Sequence, residues 1–330
     1  MRVLCVLNPR AAGGLAIQRW PSVAALMQTF GMEYELFANP DGAISRHLSD
    51  FLDKQGIGSF GAIAGIGGDG THSAIINCLV RYREARPGVV LPPYAFVPLG
   101  TGNDIAKSFG LNAREHLLAT DLRRAVSTIL HGADYQLDLG VLNGTYFADA
   151  LTIGLDSHIL HERNLQKKRI ELVPGIRLLL RGNLLYTLCM GKLFWRHDPL
   201  DVRIAVDGVP WYSGPILNTV VNNTRIYAGE FDLSPDAYAD DGRLDVALFT
   251  GHTDYLRRYI LAMRYYPSRI REFSERLSRM SHHAQGRDIE IVVSRPEAAQ
   301  LDGEEIPAAD TFRVGILPKA IHNKTPAEPI

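Results

Sequence analysis

AIAGIGGDGTHSAIINCLVRY, residues 62–82, sets three textures end to end. A short apolar run, Ala62 to Ile66, meets the glycine-rich turn Gly67-Gly68-Asp69-Gly70-Thr71, and a helix-like stretch follows. The same order recurs on both sides of it. Val3 to Leu7 leads into Asn8-Pro9-Arg10-Ala11-Ala12-Gly13-Gly14, and Tyr94 to Leu99 leads into Gly100-Thr101-Gly102-Asn103-Asp104. Strands alternating with helices predict a largely parallel sheet with helices on its faces. In such folds ligands bind outside the carboxyl ends of the strands, where all three turns would lie.

Helical texture ends near Leu130. Beyond it come YQLDLGVL, TYFADALTI, LDVRIAVDG, ILNTVVNN, RLDVALF, DIEIVVS and TFRVGIL, which alternate, carry β-branched residues and are bounded by turn formers. Asp207-Gly208 is a hairpin-turn pair. Helical segments around 174–195 and 253–280 interrupt the strands. The expectation is an α/β domain over residues 1–132 and an antiparallel β-sandwich with inserted helices over 133–318. A short polar tail, 319–330, is left over, and whether it packs back on the first domain is open.

Length and composition agree with this division. At roughly 150 residues per domain, 330 residues make about two. A hydrophobic fraction of 46% supplies two cores, and 30 Gly and 18 Pro without a period exclude collagen-like chains. Every apolar run of about 18 residues contains a charge, which argues against a spanning helix. The apolar run Val3 to Leu7 is too short for a secretory signal and reads as a buried strand. Three dispersed cysteines, Cys5, Cys78 and Cys189, suit a reduced intracellular protein rather than a disulfide scaffold. Net charge is −1, yet residues 163–196 hold eight Lys or Arg against Glu171, and residues 252–287 hold eight Arg against Asp254, Glu272 and Glu275. Such windows mark either a surface that meets anionic partners or solvated helix faces.

Several chemistries are missing by motif. There is no GxxxxGK[ST], no HRD with DFG, no HExxH and no GxSxG. His158-Ile159-Leu160-His161-Glu162 has the wrong order for a zinc protease and reads as helix or loop surface. The positive signals favour phosphate. Glycines 67, 68 and 70 let a backbone approach a phosphate at a helix N-terminus. Asp69 in the same turn would repel phosphate unless Mg²⁺ or water stands between them, since hard cations prefer oxygen. GTGND repeats that logic at 100–104, and Asn8-Pro9 with Gly13-Gly14 adds a third loop at the same edge. Late in the chain, Asp302-Gly303-Glu304 forms a turn in which Glu304 is a candidate general base and Asp302 fixes the turn. Asp236, Asp240, Asp241 and Asp245 crowd one loop, which is either a divalent-cation site or a solvated turn.

Taken together, NPRAAGG, GGDGT, PLGTGND, IGLD (153–156), DDGRLD (240–245) and LDGE (301–304) stand in the order of one family. The chain resembles the diacylglycerol kinase catalytic-domain superfamily, of the bacterial soluble lipid kinase type, over nearly its whole length. The resemblance implies a nucleotide-binding N-terminal domain, a C-terminal sandwich and an ATP site between them. It also implies transfer of the γ-phosphoryl group of ATP to a lipid hydroxyl such as that of diacylglycerol. Gly67, Gly68, Gly70 and Thr71 would line the phosphates, with Asn8 and Gly100, Thr101, Gly102 and Asn103 nearby. Asp69, Asp104, Asp138 and Asp241 would form a network of carboxylates, water and Mg²⁺, and Glu304 would take the acceptor's proton. Asp240 would ligate a structural Mg²⁺, completed by the backbone carbonyls of Ala237 and Arg243. The implied partners are a lipid substrate and an anionic membrane surface met transiently from the cytoplasm. Nucleic acid is not among them, and a homodimer is open. Leu178, Leu179, Leu180, Leu184, Leu185 and Phe194 would face either the bilayer or the sandwich.

Three positions depart from the family pattern. Ala74 replaces a glutamate of many relatives, Asn39 stands for a nucleotide-facing threonine, and His72 occupies an ordinarily apolar place. Two rival readings remain: an NAD kinase, which shares GGDGT but lacks GTGND and LDGE, and a non-catalytic, nucleotide-gated lipid-binding module. A dinucleotide-dependent oxidoreductase is excluded, because the first loop is NPRAAGG rather than GxGxxG.

Overall fold

The computed structural model describes residues 1–38, 44–100, 102–111, 119–171, 183–228, 231–234, 236–265 and 282–326. The N-terminal strands are β1 (Arg2–Leu7), β2 (Glu33–Ala38), β3 (Ala62–Gly67) and β4 (Tyr94–Pro98), all parallel in the order β4-β3-β1-β2. The period of two along β1 sorts its side chains onto two cores. Leu4 and Val6 pack with Leu48 and Leu52 of helix α2 (Ile44–Gln55) and with Ile75, Ile76 and Leu79 of α3 (Asp69–Glu84). Val3, Cys5 and Leu7 pack with Val23 and Met27 of α1 (Leu15–Thr29) and with Val126 and Ile129 of α5 (Ala119–His131). The short helix α4 (Asp104–Ser108) follows β4. Because helices cover both faces, every residue of β3 is buried, which is why that strand reads as one apolar run rather than an alternation.

The C-terminal part is antiparallel. Its strands are β5 (Ala133–Leu142), β6 (Thr145–Phe147), β7 (Ala150–Gly154), β8 (Leu200–Val206), β9 (Val209–Ile216), β10 (Asn218–Asn222), β11 (Ile226–Tyr227), β12 (Phe231–Asp232), β13 (Leu244–Phe249), β14 (His282–Gly286), β15 (Ile289–Leu301) and β16 (Glu304–Thr325). Asp207 and Gly208 both take positive φ and close the β8–β9 hairpin. Leu151, Ile153, Val221, Val246, Ile289 and Ile291 fill the sandwich core. The opposite face of β7, β10 and β13 is covered by helices α6 (Leu155–Glu171), α7 (Asn183–Leu193) and α8 (His252–Tyr265), through Ile159, Cys189 and Tyr255 among others. The architecture is thus a parallel-sheet α/β domain joined to an antiparallel β-sandwich carrying inserted helices. Of the two helical segments read from sequence, 172–182 and 266–281 lie outside the described residues.

One strand belongs to both parts. β16 pairs antiparallel with β15 and β5, and then sets Asn323 and Lys324 beside Tyr94 and Ala95 of β4 in parallel. The polar-looking end of the chain therefore continues the N-terminal sheet, and Ile321, almost fully buried, anchors it. Among the described residues no helix is long and apolar enough to cross a membrane.

Candidate active site

The loops after β3 and β4 meet at the carboxyl edge of the parallel sheet. Gly68 and Gly100 approach so closely that a Cβ on Gly68 would lie 2.9 Å from the Gly100 Cα. Asn103 locks the second loop. Its backbone is left-handed (φ 57°), which Asn tolerates. Its Oδ1 accepts the Gly100 N–H at 2.8 Å, and its Nδ2 donates to the Gly100 carbonyl at 3.0 Å. Asn8, just after β1, donates through Nδ2 to Thr71 Oγ1 at 3.0 Å, which ties the loop after β1 to the loop after β3. Gly67, Gly68, Gly70, Thr71, Gly100, Gly102, Asn103 and Asn8 are thereby brought into one cradle. Asn39 and Thr101 lie outside the described residues.

Acidic groups gather at the rim of this cradle. Asp69 accepts the Ile105 N–H at 3.3 Å, and a Cβ on Gly102 would sit 3.0 Å from Asp69 Oδ2 and 3.2 Å from Asp104 Oδ1. Two further carboxylates join them from the sandwich side, Asp149 and Asp302. Asp302, in the β15–β16 turn, accepts the N–H groups of Ala148, Asp149 and Ala150 at 2.9–3.1 Å. Asp149 is bonded by the Thr224 hydroxyl. Burial drives the pKa values of Asp69, Asp149 and Asp302 upward. Desolvation raises Asp69 against the pull of the backbone N–H groups around Ile105. Desolvation likewise takes Asp302 up to about 6. Asp149 rises well above the ordinary range through desolvation and the charges of Asp104, Asp302 and Asp69. Buried like charges at this density favour either protonation or a bound cation. Glu304, two residues beyond Asp302, swings its carboxylate over the start of α3, where a Cβ on Gly70 would meet Glu304 Oε1 at 2.6 Å.

Asp138 and Asp241, expected beside Asp69, gather in a second cleft of about 390 Å³ lined also by Asp240, Asp288 and Lys319. Asp138 accepts the N–H groups of Gly242 at 2.7 Å and Lys319 at 2.6 Å. Desolvation, then the charges of Asp245 and Asp138, raise the pKa of Asp241. Asp240 is exposed and bonds the Tyr135 hydroxyl, while Ala237 is buried and Arg243 exposed. Asp156 of IGLD serves packing: Asn218, Tyr227 and Tyr255 all donate to its carboxylate, at 2.8, 2.6 and 2.7 Å.

His72 faces away from the cradle. Its Nδ1 lies 2.7 Å from the Tyr94 hydroxyl, its ring packs edge-on to Phe96, and burial takes its pKa down to about 3. The space it needs exists because residue 65 is glycine, whose Cβ would otherwise lie 2.8 Å from the imidazole. Phe194 packs inward against His252 and Tyr255 rather than outward. Leu178, Leu179 and Leu180 lie outside the described residues, as do the side chains of Leu184 and Leu185. Sequence reasoning missed Asp149 altogether and gave Asp302 only a turn-forming role. The one available signal was a carboxylate interrupting the apolar run Tyr146 to Ile153.

The fold is a parallel α/β domain whose glycine loops face a carboxylate-bearing sandwich, and comparison with known proteins names the family. The diacylglycerol kinase catalytic domain matches residues 2–142, and the YegS C-terminal NAD kinase beta sandwich-like domain matches residues 170–323. The chain belongs to the diacylglycerol kinase catalytic-domain superfamily, in its bacterial diacylglycerol kinase and YegS-like lipid kinase group. It is 24% identical over 265 residues to the diacylglycerol kinase of Bacillus subtilis (strain 168), covering 80% of this chain and 79% of that one. It is 27% identical over 328 residues to the "Probable lipid kinase YegS-like" of Enterobacter sp. (strain 638), covering 98% and 96%. The fold is shared with the crystal structure of a diacylglycerol kinase from Bacillus anthracis str. Sterne, at a TM-score of 0.65 and 19% identity, over 98% and 96% of the two chains.

Proposed function

We propose that the chain transfers the γ-phosphoryl group of ATP to a hydroxyl of diacylglycerol or a related lipid, with Glu304 as the general base. The observation that carries this is the position of Glu304: the carboxylate of a distant sandwich turn reaches the first turn of α3, directly beside the glycine cradle. Phosphoryl transfer depends on positioning and charge neutralisation more than on covalent help from the protein. Asn8, Gly68, Gly70, Thr71 and the Gly100–Asn103 loop would position the triphosphate through backbone N–H groups and short polar side chains. Glu304 would accept the proton of the lipid hydroxyl as it attacks, a contribution of about 10²–10⁴-fold.

Mg²⁺ suits the donor set at the rim. Asp69, Asp104, Asp149 and Asp302 offer only oxygen, and the raised pKa values of Asp69, Asp149 and Asp302 reflect burial that a divalent cation would relieve. When bound there, Mg²⁺ would offset the negative charge that builds on the transferring phosphoryl oxygens. Asp240, with the carbonyls of Ala237 and Arg243, is retained as a structural Mg²⁺ site, and Asp138 and Asp241 as the acids that shape its cleft. The enzyme would work in the cytoplasm and touch anionic bilayers transiently. Leu188 and Trp195, 54% and 75% exposed, would supply the apolar element such contact needs, and the exposed Arg196 next to Trp195 the cationic one.

The test is phosphorylation with radiolabelled ATP and Mg²⁺. Mixed micelles of diacylglycerol, monoacylglycerol, phosphatidylglycerol or sphingosine are compared with soluble NAD⁺, alongside the Asp69→Ala variant. A labelled lipid that vanishes in the variant supports the reading and names the acceptor. Labelled NADP⁺, or no product while ATP still binds, overturns it in favour of the NAD kinase or the regulatory module.

A further inference from the structure

Away from the cradle, three side chains from three separate elements converge. His158 comes from the first turns of α6, His197 from the connection between α7 and β8, and Glu297 from the middle of β15. One ligating atom of each lies within 4.8 Å of the other two. The imidazoles of His158 and His197 are 4.7 Å apart between centroids, and His158 Nε2 meets Glu297 Oε1 directly.

Each residue carries a feature that its packing alone does not require. Glu297 is a carboxylate buried within β15, only 3% exposed. The register of β15 against β16 shifts on both sides of Glu297, an irregularity of the kind that re-aims a side chain. His197 buries its Nε2 with no hydrogen-bond partner, and such a lone pair costs free energy unless something coordinates it. Arg295 engages the other oxygen of Glu297, Oε2, at 3.7 Å and leaves Oε1 to the histidines. The other two polar residues of the stretch His158 to Glu162 are otherwise committed: His161 bonds Glu305 at 2.7 Å, and Glu162 bonds Lys192 at 2.5 Å.

We propose that His158, His197 and Glu297 form a binding site for one zinc-class divalent cation, distinct from the oxygen-only magnesium sites. Two imidazoles and one carboxylate make a borderline-soft set, which selects Zn²⁺ over Mg²⁺ and leaves a fourth position to water. A tetrahedral zinc needs donor atoms roughly 3.4 Å apart, a spacing these three reach with small side-chain rotations. The ion would pin α6 to β15. Since Glu305 already bonds His161 and Asn164 of α6, the same clamp would hold the turn that carries Glu304.

The full-length chain is stripped with chelator, reloaded with Zn²⁺ in excess Mg²⁺, passed through gel filtration and assayed for metal. The expected result is one retained zinc per chain and a melting temperature raised by Zn²⁺ but not by further Mg²⁺. His197→Gln and Glu297→Gln, each shown folded by circular dichroism, are expected to lose the ion, with affinity down at least about 100-fold. The Co²⁺-loaded wild-type protein is expected to show visible d–d absorption that both variants lack. Zinc retained undiminished by both variants, or no zinc retained by the wild-type chain, overturns the proposal. Neither readout depends on lipid phosphorylation.

Discussion

Replacing Gly68 by Ala isolates one contact of the cradle. The Gly68 backbone sits at φ −102° and ψ −173°, an extended conformation open to any L-residue, so the substitution brings no backbone strain. What it brings is a methyl group 2.9 Å from the Gly100 Cα, a backbone atom that cannot rotate aside. An ordinary carbon–carbon contact needs about 3.5 Å, so the two loops must part by roughly 0.6 Å. Overpacking of this kind costs about 1–3 kcal/mol, from which about 0.4–1 kcal/mol is recovered because Ala restricts the unfolded chain. The net expectation is a loss of about 1–2 kcal/mol, seen as a melting temperature lowered by a few degrees. Gly58→Ala, where a Cβ meets nothing within 4 Å, is the control and is expected to melt at or slightly above wild type. Misplacement of reacting groups by 1 Å costs about 10²-fold, so kcat/KM for ATP is expected to fall roughly tenfold or more. Calorimetry and initial-rate kinetics on the three proteins decide the matter. Wild-type melting and wild-type kcat/KM in Gly68→Ala would refute the close approach of the two loops.

Glu304→Gln is expected to leave ATP affinity unchanged in a fluorescence titration while turnover falls about 10²–10⁴-fold; equal turnover removes Glu304 as the base. Asp302, pushed up to about 6 in the folded state, favours folding most below about pH 3.8, and that contribution, about 3 kcal/mol, is lost as pH rises through 6. Millimolar Mg²⁺ is therefore expected to raise the melting temperature more at pH 8 than at pH 5, and an equal rise at both would contradict a cation among these acids. Arg258, 3% exposed, holds Asp254 at 3.0 and 2.8 Å and lies over the Phe249 ring. Asp254→Ala strands that guanidinium and is expected to cost about 3–5 kcal/mol in urea unfolding, whereas Arg258→Met should cost much less.

The cradle was legible in the sequence because its parts are local. Gly67 to Thr71 and Gly100 to Asp104 each sit between one strand and one helix, so spacing alone places them at the same sheet edge. The sandwich strands were legible from alternation, and Asp207-Gly208 from turn chemistry. The acid cluster was half legible. Asp69 and Asp104 travel with the glycines, but Asp149 and Asp302 enter through contacts across the domains that no local pattern records. Asp138 and Asp241 show the converse: both are acids near Gly or Asp, yet backbone N–H groups of Gly242 and Lys319 draw Asp138 into a different cleft. His72 looked anomalous only because it and its packing partners, Gly65 and Tyr94, stand on three different elements. The histidine–glutamate cluster is likewise invisible along the chain, since its members are 39 and 100 residues apart.

The path of β16 has a consequence for how this chain is made. During synthesis β1 to β4 emerge first, but the neighbour that covers the outer edge of β4 is Asn323 and Lys324. Until those residues leave the ribosome the parallel sheet has an open flank of unpaired backbone groups, and such edges recruit other chains. The N-terminal sheet thus depends on β16, a strand made well after β4. The outer edge of β4 is closed only when β16 is sewn in between the two halves.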